Sequence, residues 1–382
     1  MKRQHGMKVR AALACVLALG ALSAAADDPG ETIYLGARPS VSGDGRTFVF
    51  EWADNSWIAS TEGGKARPLL TGSGLRSWPV ISTDGRRVAF LSDADGNRKI
   101  FEQDIERGTV RQVSFHSEST YPSAYSRDGE RLLCTVSRDL ADKSGSERVA
   151  YLPVRTRGAE EMLFDAEASE PACSPDGTSI LFRRRGEHLY RKRTKGASSG
   201  QIWRYDLPTK RYTLLVKRDT DSRTPLWRPD GKGFYYVSGQ DGTMNVWERD
   251  LATGKDRQVT FFKGDNVIHP SLSADGRTMV FRQGFYFHRI DPTAKRPDPK
   301  RIDLVPVAYA PRPKTRRRFY SSCWNNDRDG GLDFCDKGMQ IAFTAGGDLF
   351  VSDTLVREPR LVHGSSLTHE RECVFSNDGS AL

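Results

Sequence analysis

The sequence predicts an all-β fold, a six-bladed β-propeller followed by the incomplete start of a second one. Three observations carry this. A phrase recurs along the 382 residues: Pro, two or three residues, Ser, one residue, Asp-Gly, then an alternating apolar strand. Its copies lie about 40–50 residues apart, the period of propeller blades. Helical periodicity is missing from the chain beyond its first residues, which leaves strands as the regular element.

The clearest copies span residues 39–45, 79–85, 171–177, 225–231 and 270–276. A further copy, Ser126-Arg127-Asp128-Gly129, carries one extra residue after Pro122. Weaker copies stand at Asp336-Lys337-Gly338 and Asn377-Asp378-Gly379. The repeated Asp residues read as turn formers rather than a carboxylate array. Gly supplies the positive φ of a tight turn, and Asp bonds the backbone two residues on.

Residues 1–26 lie outside this pattern. Lys2, Arg3, Lys8 and Arg10 form a basic start, and residues 11–21 an apolar stretch too short to span a bilayer. Ala24-Ala25-Ala26 then offers a small-residue cleavage site before Asp27. The expectation is a signal peptide and a periplasmic or secreted chain, with no membrane span once the signal is removed. Four positive charges lie in this leader, so the net +9 falls to about +5 in the remainder. That modest excess gives no reason to expect a nucleic-acid partner.

Beyond Cys15 there are five cysteines, at 134, 173, 323, 335 and 373, and an odd number argues against a disulfide framework. Cys134 and Cys173 fall on apolar strand positions, as packed thiols do. Cys323 and Cys335 are near enough in sequence to pair in an oxidising compartment, a pairing the sequence leaves open.

One repeat reads strand by strand. Each Asp-Gly turn leads into an alternating run such as residues 47–50, 87–90, 179–182, 233–236 or 278–281. The next strand carries an aromatic and ends in Asp, as in residues 100–104, 202–206 and 246–250. A turn then precedes a third strand, such as residues 111–114 or 257–260. The strand before the next Asp-Gly completes four per blade.

The longest gap between repeats runs from Asp275 to Asp336 and contains Pro297, Pro299, Pro306, Pro311 and Pro313. It sets the expected domains: residues 27–305 as the six-bladed propeller, 306–313 as a Pro-rich linker, and 314–382 as a partial second propeller of about two repeats. The N-terminal strand is expected to help close the first ring. The chain stops at Leu382, where a strand is due, and so reads as truncated within a blade.

These phrases resemble the repeats of the TolB and tricorn-type β-propellers, with Ser-x-Asp-Gly in place of the Trp-Asp of WD-repeats. Residues 191–203, from Arg191-Lys192-Arg193 through Gly196-Ala197-Ser198-Ser199-Gly200 to Trp203, are similar to a basic, Gly-rich insertion in the first propeller of tricorn proteases. Residues 346–353 and 357–360 resemble the opening of that family's second propeller. The resemblance implies an exported module that binds peptides or envelope proteins. It would be the gating and substrate-guiding front of a peptidase whose catalytic parts lie beyond this sequence. It therefore carries over no catalytic residue and implies that this chain alone is not an enzyme. A stand-alone TolB-like envelope scaffold and the propeller half of a prolyl-oligopeptidase-like hydrolase are the alternatives.

Three constellations bear on chemistry. Arg191, Lys192, Arg193 and Lys195 form a cationic stretch suited to acidic peptide ends, though a solvated loop has the same composition. Residues 196–200 match the letters G-x-S-x-G, but a nucleophile elbow needs a strand before and a helix after, and here a strand follows. Asn325, Asp327, Asp329 and Asp333 have the oxygen spacing of a calcium loop. No helices flank them, and Asp336 already belongs to a repeat turn, so an ordinary polar turn is the competing reading. No cofactor is otherwise expected.

Overall fold

A computed structural model describes residues 32–53, 55–69, 76–93, 98–116, 118–138, 147–156, 158–186, 195–307, 332–335, 340–345, 348–353, 359–363, 373–376 and 380–382. Every regular element among them is a strand, so the chain is all-β as its periodicity requires. The strands fall into seven antiparallel sheets, numbered here in chain order, each built from four consecutive strands.

The repeat phrase makes the turn between the first and second strands of a sheet. Gly45 lies at φ 71°, and its N–H donates to the Ser42 carbonyl at 2.9 Å. The Ser42 hydroxyl donates to Asp44 Oδ1 at 2.6 Å, and the same oxygen accepts from Arg46 N at 3.1 Å. Ser82/Asp84, Ser126/Asp128, Ser174/Asp176 and Ser273/Asp275 repeat the hydroxyl bond at 2.5 Å. The recurring Asp is thus consumed by its own turn, as the sequence indicates. In sheet 5, Arg228 replaces the serine, pairing with Asp230 and reaching Glu248 at 3.0 Å.

The second strand of each of sheets 1 to 6 is the most buried, because neighbouring sheets cover both of its faces. Phe48, Val49 and Phe50 are fully buried in sheet 1, as are Met279, Val280 and Phe281 in sheet 6. Opposite faces of one strand feed different cores. Val49 packs with Val88 and Phe90 of sheet 2, whereas Phe48 and Phe50 pack with Val280 and Phe287 of sheet 6. Leu91 and Leu132 join sheets 2 and 3. Leu133 and Phe182 join sheets 3 and 4. Leu181 and Tyr236 join sheets 4 and 5. Tyr235 and Phe281 join sheets 5 and 6. The first strands of successive sheets also touch, and that of sheet 6, Val267–Leu272, touches that of sheet 1, Ala37–Val41.

The seam between sheets 6 and 1 has its own fastening. The sequence expects the N-terminal strand to help close the ring; Ala37–Val41 is the first strand of sheet 1 and touches Val267–Leu272 of sheet 6. The added strand is Leu304–Pro306, which runs parallel to Gly64–Pro68 at the far edge of sheet 1. Pro306 ends it, which suits an edge strand because proline has no N–H to give a ladder. Ile33 N donates to the Leu304 carbonyl at 2.9 Å, and Leu35 N to the Phe285 carbonyl at 2.9 Å. Both ends of the described 32–307 stretch therefore meet at one seam.

Sheet 7 comprises Leu332–Phe334, Gln340–Ala345, Asp348–Asp353 and Pro359–His363. Beyond it, Ser376 N donates to the Ala381 carbonyl at 2.9 Å, the same bond that opens the repeat at Ser42 and Thr47. Cys134 and Cys173 are packed thiols, Cys173 accepting from the Tyr151 hydroxyl at 3.3 Å. Burial raises the pKa of both thiols. Cys323 lies outside the described residues, and with it the Cys323–Cys335 pairing.

Leu304 is 1% exposed and packs into the core shared by sheets 6 and 1. Leu304→Ala should cost about 2–4 kcal/mol, and urea unfolding followed by intrinsic tryptophan fluorescence will read it. A loss below about 0.5 kcal/mol would show that this strand does not fasten the seam.

Candidate functional site

The first strand of each of sheets 1 to 6 carries a bulge, and in all but sheet 3 the bulge falls where the repeat places its proline. Register shifts lie between Ala37 and Ser40, Ser77 and Val80, Ser169 and Ala172, Arg223 and Leu226, and Ile268 and Ser271. The residue before the proline is left-handed in each: Arg38 at φ 47°, Trp78 at 54°, Glu170 at 50°, Thr224 at 49° and His269 at 51°. Sheet 3 differs. Its extra residue moves the bulge past Pro122, opposite the step from Leu133 to Cys134, and Tyr121 is not left-handed.

Left-handed backbone costs a non-glycine residue roughly 1–2 kcal/mol, and a following proline narrows its options further. Such strain persists only where the surroundings over-determine it. Here they do. Glu51 Oε2 accepts from both Arg38 Nη1 and Trp78 N at 3.3 Å. The Arg38 guanidinium lies 4.0 Å over the Trp78 ring, which packs on Tyr121 at 4.8 Å between centroids. Glu170 Oε2 accepts from Thr224 N at 2.5 Å and from its hydroxyl at 2.9 Å. The bulge residues of adjacent sheets are thus bonded to one another across the first strands.

A second layer backs this set. Arg183 Nη1 donates to Glu170 Oε1 at 3.1 Å, and Asp221 holds Arg223 at 2.5 Å. Burial raises the Glu170 pKa, but Arg183, Arg223 and the Thr224 bonds outweigh it and hold the carboxyl below its usual range. His269 is surrounded by protein while keeping part of its surface open. Burial, then Arg38, Arg282 and Arg223, push its pKa down to about 3 against the pull of Glu170. The imidazole is therefore neutral at pH 7, and its Nδ1 has no hydrogen-bond partner.

Of the residues the sequence singles out, Arg191, Lys192 and Arg193 lie outside the described residues. Lys195 is exposed and forms an isolated antiparallel bridge with Thr220. The G-x-S-x-G turn beside it is pinned from below: Ser199 Oγ donates to the Asp219 carbonyl at 2.6 Å, and Gly200 N to Asp221 Oδ1 at 2.5 Å. A Cβ on Gly200 would stand 2.4 Å from that oxygen. Ser198 is exposed, and the strand Gln201–Asp206 follows it. Asp221 therefore links the base of the cationic loop to the bulge residues, a connection the sequence does not announce. Asn325, Asp327 and Asp329 lie outside the described residues. Asp333 sits on a sheet 7 strand, where its carboxylate accepts from Phe375 N at 2.7 Å.

Two outcomes follow from this geometry. Asp221→Ala removes the partner of a buried arginine and should cost about 3–5 kcal/mol, read by urea unfolding; a loss under 1 kcal/mol would remove Asp221 from the centre of the network. His269 has a depressed pKa in the folded state, so the unfolded chain binds the proton more readily. Stability should then fall as pH drops from about 6.5 toward 3, with a slope of at most about 1.4 kcal/mol per unit. His269→Gln should flatten that part of the profile, and an unchanged profile would refute the assignment.

Residues 34–296 match the model of the tricorn protease N-terminal β-propeller domain. The chain is 23% identical over 263 residues to tricorn protease homolog 1 of Streptomyces coelicolor, covering 68% of this chain and 24% of that protein. It is 27% identical over 204 residues to a TolB homolog of Protochlamydia amoebophila, covering 53% and 34%. It is 26% identical over 289 residues to the uncharacterized peptidase YuxL of Bacillus subtilis, covering 51% and 44%. The chain thus spans less than half the length of each of these relatives. A crystal structure of the tricorn protease superposes with a TM-score of 0.62 at 18% identity, over 87% of this chain and 32% of that one, a likeness of fold. With well over half of its length matched by that family model, the chain belongs to the tricorn protease N-terminal β-propeller family.

Proposed function

We propose that this chain is an exported, non-catalytic β-propeller module that binds peptide or protein segments and guides them toward a peptidase. In this reading residues 1–26 are a signal peptide, 27–305 a six-bladed ring, 306–313 a linker, and 314–382 the start of a second propeller. The observation that carries the binding role is the set of strained, polar bulge residues on the first strands, bonded sheet to sheet from Arg38 to Trp78 and from Glu170 to Thr224. Strain of this kind collects at ligand sites. The cycle of cores from sheet 1 through sheet 6 and back supports a ring with these strands innermost.

The likeness to a TolB homolog favours a second reading, a stand-alone scaffold for envelope proteins. The cationic residues Arg191, Lys192, Arg193 and Lys195 serve as an outer contact for acidic segments in either case. Calcium at Asn325, Asp327, Asp329 and Asp333 is a separate proposal, and it requires Asp333 to give up its bond to Phe375 N.

Purified residues 27–382 should bind acidic peptides in a salt-sensitive way and hydrolyse none of them, because no nucleophile, base and orienting group come together among the described residues. Calorimetry should show weaker binding when Arg191, Lys192 and Arg193 are all changed to Ala. Turnover that survives purification and vanishes in Ser198→Ala would overturn the non-catalytic reading. Binding that ignores both salt and the triple substitution would take the cationic loop out of the contact.

A further inference from the structure

The bulge residues differ in how well their charges are matched. Glu170 is matched: Arg183 and Thr224 bond it directly, and Arg223 lies close by. The seam between sheets 6 and 1 is not. Arg38, from sheet 1, has one carboxylate partner, Glu51, which it shares with Trp78 N. Arg282 projects from the second strand of sheet 6 toward the segment that enters sheet 1. Among the described residues it meets only the Leu35 and Gly36 carbonyls, at 3.5 and 3.4 Å, which is long for a guanidinium bond. Its Nε is buried with no hydrogen-bond partner.

His269 stands at the same place. It follows Ile268, whose backbone is in register with Arg282, and the two arginines both act on its ring. Its Nδ1 is a second buried polar atom without a partner. Arg38 and Arg282 thus stand beside two buried polar atoms that bond nothing, and Glu51 is the one carboxylate hydrogen-bonded to either arginine among the described residues. A buried unsatisfied polar atom costs about 1–3 kcal/mol, and guanidinium groups recognise planar or tetrahedral oxyanions through paired N–H bonds. The site is short of one negatively charged acceptor.

We propose that Arg38, Arg282 and His269, at the seam of sheets 6 and 1, form a binding site for a single oxyanion group, a carboxylate or a phosphate. Arg282 supplies the principal charge, Arg38 the second, and the neutral imidazole one N–H. The site deepens the peptide-binding reading above by naming the group recognised, and it is separate from the cationic loop.

The test uses residues 27–382 at low salt with three probes: inorganic phosphate, an N-acetylated tripeptide with a free C-terminal carboxylate, and the same tripeptide as its amide. Calorimetry should show binding of phosphate or of the free-carboxylate peptide and not of the amide. Arg282→Met should weaken that binding at least about tenfold, with Arg282→Lys intermediate. The His269 ring signals in NMR should move on binding to the parent and stay still in Arg282→Met. Should Arg282→Met fail to fold, His269→Ala carries the test, with a several-fold loss expected. Binding of neither anion, or equal binding by parent and variants, overturns the site. Equal binding of acid and amide also overturns it while leaving the peptide-binding reading intact. Phosphate binding with no peptide binding supports the site and counts against that reading.

Discussion

The left-handed residue before five of the repeat prolines is the constraint on which the site depends. A regular strand alternates its side chains between two faces, both of which a propeller commits to the cores between sheets. A bulge with positive φ breaks that alternation and frees one side chain from either core. Arg38, Glu170, Thr224 and His269 are polar side chains so placed, while Trp78 still packs on the core of sheets 2 and 3. At two of them the backbone N–H donates to an acid on another strand, Trp78 N to Glu51 and Thr224 N to Glu170. The strain and the polar surface are thus one feature, since the acids that hold the backbone also set the local charge.

The same economy governs the core. Each buried second strand serves two cores, Val49 on one side and Phe48 and Phe50 on the other. The sheet 6 to sheet 1 core is where the two ends of the 32–307 stretch meet, and Leu304 supplies its last apolar side chain. The underbonded arginine lies at this seam, reaching from sheet 6 to the carbonyls of Leu35 and Gly36. Anything bound by Arg38 and Arg282 would touch sheets 1 and 6 at once. A ligand there binds the folded state and so adds to its stability by mass action.

The turn chemistry was legible in the sequence because it is local. Ser42, Asp44 and Gly45 bond within their own turn, so the letters determine the geometry. The alternating second strands were legible for the same reason, and their repeat spacing pointed to the propeller. The bulge residues were not. Arg, Trp, Glu, Thr and His share no propensity, and the acids that bond the backbone at Trp78 and Thr224 lie far away in sequence. The repeat proline marked the position without revealing what the residue before it does. The extra residue after Pro122 was visible, and it became the one bulge with a different register. Leu304–Pro306 was hidden by its prolines, which read as a boundary until their pairing with Gly64–Pro68 is seen. Asp221 gave no signal, because its partners Gly200 and Arg183 meet it only in the fold.

The central claim is that the fold holds these residues in strained backbone to serve a site. The most direct measurement compares Gly with Ala at the same bulge position, because both remove the side chain and differ only in backbone freedom. At His269, the account predicts that the Gly variant unfolds at higher urea than the Ala variant, by about 1 kcal/mol in stability. An ordinary strand position gives the opposite order, with Ala the more stable by roughly 0.5–1 kcal/mol. Finding Ala ahead of Gly at His269 would contradict the account.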